Sequence, residues 1–209
     1  IRMEMGVPGL APSRIGTEAE IEALKHGVAQ FYPMLEGYPV LSEEASRFVK
    51  NFMDVDIRPE GIIPTVGAMQ ASYVAFMALT ECHKGKDTIL FIDPGFPVQK
   101  TQLEVIGKPY QTFDIYEYRE EKLEAKLREY LDRGNIAGIV YSNPNNPSWV
   151  CLTDFELQVI GKLATEYDTI ILEDLAYFAM DFRKDLSHPG KAPFQPTVAK
   201  YTDNYIFMI

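Results

Sequence analysis

Four short segments carry residue types whose spacing could do chemistry together. In Ile170-Ile171-Leu172-Glu173-Asp174-Leu175-Ala176-Tyr177 a carboxylate emerges from an apolar run and a phenol follows three residues later, so both can flank one ligand. The plain alternative for a single Asp here is a side-chain cap on the following turn. In Ser142-Asn143-Pro144-Asn145-Asn146-Pro147-Ser148 two Asn-Pro pairs follow a second apolar run. Proline bars helical backbone to the residue before it, so the pattern predicts an extended, rigid loop whose amide side chains, Asn146 among them, can face a ligand. Asp93-Pro94-Gly95-Phe96-Pro97 brackets one aromatic ring with prolines. Phe96 either stacks on a flat heteroaromatic ligand or is buried beneath the loop. Pro64-Thr65-Val66-Gly67-Ala68-Met69-Gln70 sets a glycine at the head of an apolar helix. Free amides and the helix dipole there make an anion site, unless Gly67 serves only a tight turn.

These segments can act together only if the fold gathers them. From Gly61 onward, short apolar runs at Thr88–Ile92, Tyr110–Phe113, Ala137–Tyr141, Thr169–Leu172 and Tyr205–Ile209 alternate with helical patterns. The helices are expected at Ala68–Leu79, Val98–Val105, Glu120–Leu131 and Asp154–Tyr167, the last opened by a Thr153/Glu156 capping box. That alternation predicts an α/β fold of three layers, a mostly parallel sheet with helices on both faces. Ligands of such sheets sit beyond the carboxyl ends of the strands, where all four segments fall. Residues 57–209 form this layered domain, and residues 1–56 form a helical N-terminal segment. Within the latter, Thr17 and Glu20 form a capping box ahead of Ile21, Leu24, Val28 and Phe31, and a second helix begins at Ser42. The stretch Asp181–Asn204 reads as a long surface loop with room for a short helix.

Composition excludes several function classes. The 209 residues are 46% hydrophobic, enough for a core, and the formal net charge of -10 comes from scattered acids. Nucleic acid is therefore not an expected partner, since a polyphosphate backbone needs clustered Lys and Arg. Cys82 and Cys151 lack zinc-site spacing and suit a reducing cytoplasm. No apolar run reaches the roughly 18 to 20 residues that span a bilayer, so no membrane segment is expected. Both termini read as cuts, the second inside the apolar run that ends at Ile209.

Taken in order, the four segments resemble the fold-type I pyridoxal-phosphate enzymes, specifically the aspartate-aminotransferase-like class I and II aminotransferases. The Asn-Pro loop and the Asp-x-x-Tyr strand end are the specific part, and the match covers roughly residues 20–209. The resemblance implies pyridoxal 5'-phosphate as cofactor, with an amino acid and a 2-oxo acid as small-molecule partners. By that resemblance Gly67, Ala68 and Met69 hold the phosphate, and Phe96 takes the place of the stacking aromatic. Asp174 pairs with the pyridine nitrogen, while Asn146 and Tyr177 donate to the 3-oxygen. Tyr32, with Gly37 and Leu41 following, resembles the segment whose tyrosine reaches the phosphate of the neighbouring subunit, which implies a homodimer. Two departures stand out: Trp149 occupies the place of the family's glycine after Asn-Pro-Thr, and Met69 that of a hydroxyl residue.

The constellation has a physical rationale of its own. Amine transfer needs an electron sink, which this cofactor supplies only while its ring nitrogen stays protonated, and a buried carboxylate favours that state. The lysine that binds the cofactor covalently is expected after the strand at Tyr205–Ile209, beyond the chain, and Lys162, Lys184, Lys191 and Lys200 do not fit its place. The chain alone is therefore expected to be inactive, with the C-terminal part of the same enzyme supplied elsewhere, as a separate chain if need be. A β-eliminating carbon–sulfur lyase of the same superfamily and a noncatalytic regulator with an aminotransferase-like domain are the competing readings. A nucleotide-binding α/β domain is disfavoured, because neither a G-x-G-x-x-G nor a Walker-type loop occurs.

Overall fold

The computed structural model describes residues 9–209. Five strands, β1 (Thr88–Asp93), β2 (Tyr110–Asp114), β3 (Ile136–Ser142), β4 (Ile170–Asp174) and β5 (Tyr205–Met208), form one sheet in the order β2-β1-β3-β4-β5. Every neighbouring pair is parallel. Six helices accompany them: α1 (Arg14–Lys25), α2 (Pro39–Met53), α3 (Gly67–Cys82), α4 (Pro97–Ile106), α5 (Lys122–Leu131) and α6 (Asp154–Glu166).

Alternation along the strands feeds two separate cores. Ile89, Phe91, Val140 and Leu172 pack with Phe76 and Leu79 of α3 and Leu103 of α4. Their neighbours Leu90, Ile92, Ile139 and Ile171 face the other way, onto Leu123 and Leu127 of α5 and Leu157 and Leu163 of α6. Helices on both faces leave no strand residue of the sheet centre facing water, which is why β3 is apolar on both sides. The chain leaves β1 toward β2 on one side, while β3 lies on the other, so the crevice beyond β1 and β3 is the topological switch point.

Three expectations differ from the structure. The α1 helix starts at Arg14 because Ser13, not Thr17, caps it, accepting from the Gly16 amide at 3.5 Å. It stops at Lys25, where Gly27 adopts φ 79°, so Val28 and Phe31 fall outside it, and none of its residues is buried. The α2 helix begins at Pro39, not Ser42, since proline at the first helical position comes with a suitable φ and no amide to satisfy. The stretch 181–204 is not merely superficial: Asp181, Leu186, Gln195, Thr197 and Val198 are buried, and a 3-10 turn spans Val198–Lys200. The Gln195 amide donates to Phe52 O at 2.9 Å, fastening this stretch to the end of α2.

Candidate functional site

Beyond the carboxyl ends of β1, β3 and β4 lies a cavity of about 190 Å³. Of the residues singled out in the sequence, Ala68, Met69, Phe96, Asn146, Asp174 and Tyr177 line it together. Gly67 and Tyr32 do not. Gly67 opens α3 with φ 72°, a backbone that L side chains rarely adopt, and the next two residues of the helix, Ala68 and Met69, line the cavity. Tyr32 is 100% exposed, on the loop between α1 and α2.

Register decides which carboxylate faces the cavity. Tyr141 pairs with Glu173 and Ser142 with Asp174, so the two acids point to opposite faces of the sheet. Asp174 falls on the α3/α4 face beside the cavity, and Glu173 on the α5/α6 face. Asp174 Oδ1 accepts from the Ala176 amide at 3.0 Å, the turn-capping role expected of a lone Asp. Its Oδ2 accepts from Gln99 Nε2 at 2.9 Å, so the same side chain also borders the ligand space. Burial raises the Asp174 carboxyl above the ordinary Asp range, and both hydrogen bonds work against that rise. Its partners are neutral, and a cationic ligand atom would relieve the uncompensated charge.

The Asn-Pro loop closes on itself instead of running extended. Asn145 N donates to Val150 O and Trp149 N to Asn145 O, each at 2.8 Å, because the Asn side chains are used to tie the loop down. Asn145 Nδ2 donates to Pro94 O at 2.6 Å, which joins this loop to the one carrying Phe96. Asn143 is buried, with its Oδ1 taking the Leu152 amide at 3.1 Å and its Nδ2 reaching Pro196 O at 3.5 Å. Of the three asparagines, Asn146 alone lines the cavity among the described residues.

Sequence reading missed Gln99, Gln102, Ser72 and Ser142, all at the cavity. Gln99 and Gln102 lie one helical turn apart on the inner face of α4, and two buried glutamines on the apolar side of a short amphipathic helix were the available signal. Ser72 Oγ donates to Gln102 Oε1 at 2.8 Å, and Gln102 Nε2 donates to Met69 O at 2.8 Å, which locks the first turn of α3 against α4. Ser142 Oγ accepts from the Asn146 amide at 3.1 Å.

A parallel sheet layered between helices, with a cavity at its switch point, the N-terminus of α3 on one wall and a buried acid on another, defines an α/β protein with a place for a small ligand. Residues 5–207 match the family described as Aminotransferase class I and II, and the chain belongs to that family. It is 29% identical over 199 residues to an aspartate aminotransferase of Pyrococcus horikoshii, covering 94% of this chain and 49% of that protein. Aromatic-amino-acid aminotransferase 2 of Thermococcus litoralis is 28% identical, with 90% of this chain and 48% of that protein covered. Among solved structures, an aminotransferase from Mycobacterium tuberculosis superposes with a TM-score of 0.78 at 18% identity, over 97% of this chain and 49% of that one. The chain thus spans about half the length of the relatives it matches.

Proposed function

We propose that the protein containing this chain transfers an amino group between an amino acid and a 2-oxo acid with pyridoxal 5'-phosphate. The observation that carries the reading is Asp174, a buried carboxylate held only by neutral donors and bordering a cavity shared with Phe96, Asn146 and Tyr177. The residues suit the cofactor: Phe96 offers a flat wall, and Gly67, Ala68 and Met69 offer helix amides for a phosphate. Bound there, the cofactor supplies the electron sink that lets a proton leave the carbon bearing the amine. Asp174 would hold a proton on the ring nitrogen by a charge-assisted hydrogen bond. Asn146 and Tyr177 would donate to the ring oxygen, and Phe96 would hold the ring against a flat wall.

The relatives' names support amine transfer over the competing chemistries. By the family resemblance a covalent lysine would follow β5 in the whole protein, and residues 1–209 alone are proposed to bind cofactor noncovalently and not to turn over. Residues 1–56 form the part that contacts a second subunit, and 57–209 the cofactor-binding domain of a cytoplasmic homodimer.

The test uses the full-length protein: cofactor absorbance trapped by borohydride, and an amino acid plus 2-oxo acid assay run beside a β-elimination assay. Asp174→Ala should lower transamination by orders of magnitude with the fold retained. Full turnover in that variant would refute the assignment of the ring-nitrogen partner, and thiol release without transamination would favour the lyase.

A further inference from the structure

Trp149 stands where the family pattern has glycine, and its backbone keeps a glycine-like conformation, with φ 60°. A bulky side chain in left-handed backbone is strained and persists only when its surroundings over-determine it. Two 2.8 Å backbone hydrogen bonds, from Trp149 N to Asn145 O and from Asn145 N to Val150 O, hold it there. The strain therefore delivers the indole to a chosen place.

That place is the ring of Tyr177. Trp149 meets it edge-on, with centroids 5.6 Å apart and planes at 66°. Phe182, on the same stretch as Tyr177, stacks on the indole at 5.9 Å and 23°. Trp149 remains 41% exposed and Phe182 83% exposed, so this aromatic row is not part of either sheet core. Tyr177 itself lines the cavity, as does Asn146, three residues before Trp149 in the same closed loop.

We propose that Trp149 is a positioning residue: its indole locks the Tyr177 phenol relative to Asn146, so that two donors carried by different strand-end loops converge on one ligand oxygen. Phe182 completes the lock by stacking on the indole. Edge-to-face pairing has a directional preference that aliphatic contact lacks, which suits a part that must fix the orientation of a ring. The inference rests on the cofactor reading above, since the shared oxygen belongs to pyridoxal phosphate.

The experiment uses the full-length protein loaded with pyridoxal 5'-phosphate, following the bound cofactor's absorbance against pH. A misplaced Tyr177 donor leaves the negative ring oxygen less stabilised, and that oxygen then holds the neighbouring proton more tightly. W149G should accordingly raise the titration midpoint by about one unit and weaken cofactor binding by about fivefold. Glycine suits φ 60°, so W149G keeps the loop, and its melting curve checks this. W149F, which retains a ring, should recover at least half of the shift. In a Y177F background, W149G should move the midpoint no further. A W149G midpoint equal to the wild type overturns the proposal, as does a shift that persists undiminished in Y177F or a W149F as displaced as W149G. If the wild type takes up no cofactor, the cofactor reading falls and this inference with it; uptake with an unmoved midpoint removes the positioning role alone.

Discussion

Neighbouring acids in this chain do different work because strand residues alternate. Asp174 faces the cavity, whereas Glu173 is fully buried on the other side of the sheet. Glu173 Oε1 accepts from Tyr141 Oη at 3.1 Å, and its Oε2 accepts from Thr197 Oγ1 and, at 3.3 Å, from the Val198 amide. Burial pushes its carboxyl from the ordinary 4.5 up to about 7, with the three donors opposing the rise. The native state therefore keeps a proton that the unfolded chain releases between these values, and the contribution to stability is full below 4.5 and lost as pH rises through about 7. The shift corresponds to about 3 kcal/mol. Denaturant unfolding of wild type and Glu173→Gln across pH 5 to 7 should show a wild-type decline that the variant lacks; parallel profiles would count against the buried carboxyl as its source. Asp174 and Tyr177 were legible in the sequence because their spacing after an apolar run is local information. Gln99 was not, since its partner lies 75 residues away and nothing local marks the contact.

At the scale of elements, the strands and the helices between them were legible nearly to their ends, because hydrophobic period separates the two. The capping box of α6 was legible too: Thr153 Oγ1 accepts from the Glu156 amide at 3.2 Å, and a Glu156 carboxylate oxygen accepts from the Thr153 amide at 2.9 Å. Less visible was why α6 contains Gly161. A Cβ there would lie 2.7 Å from Tyr201 Cβ and 3.2 Å from Tyr201 C, so the helix approaches the segment before β5 at glycine distance. Gly161→Ala should destabilise the protein by about 1 to 3 kcal/mol through overpacking, outweighing the helix propensity that alanine adds. Calorimetry would check this, and a raised melting temperature would contradict the close approach. The starts of α1 and α2 were misread because several residues there can cap or begin a helix, and the chain chooses among them by a few tenths of a kcal/mol to about 1 kcal/mol.

Across the whole molecule, the two cores of the sheet, a third cluster of Val49, Met53, Val55 and Leu175, and the cavity account for α2 to β5, while α1 and the loop after it carry apolar side chains on the surface. Ile15, Leu24, Phe31, Tyr32 and Leu35 are all exposed. If the proposed homodimer forms as the family resemblance implies, the exposed Tyr32 would reach the phosphate of the neighbouring subunit's cofactor. Tyr32→Phe in the full-length protein should then weaken pyridoxal 5'-phosphate binding by about tenfold, the worth of one hydrogen bond to a charged group, with the dimer intact by sedimentation. An unchanged dissociation constant would remove Tyr32 from the site. By itself the sequence determined the layered α/β class and the order of the strand-end segments, because period, proline and glycine act over a few residues, and it singled out Asp174, Asn146, Phe96 and Tyr177, which line one cavity. Only the tertiary structure decided that Gln99 holds Asp174 and that Glu173 turns away from the site to Tyr141 and Thr197. Those outcomes depend on register and on contacts between distant segments, where a shift of one residue exchanges the two faces of a strand.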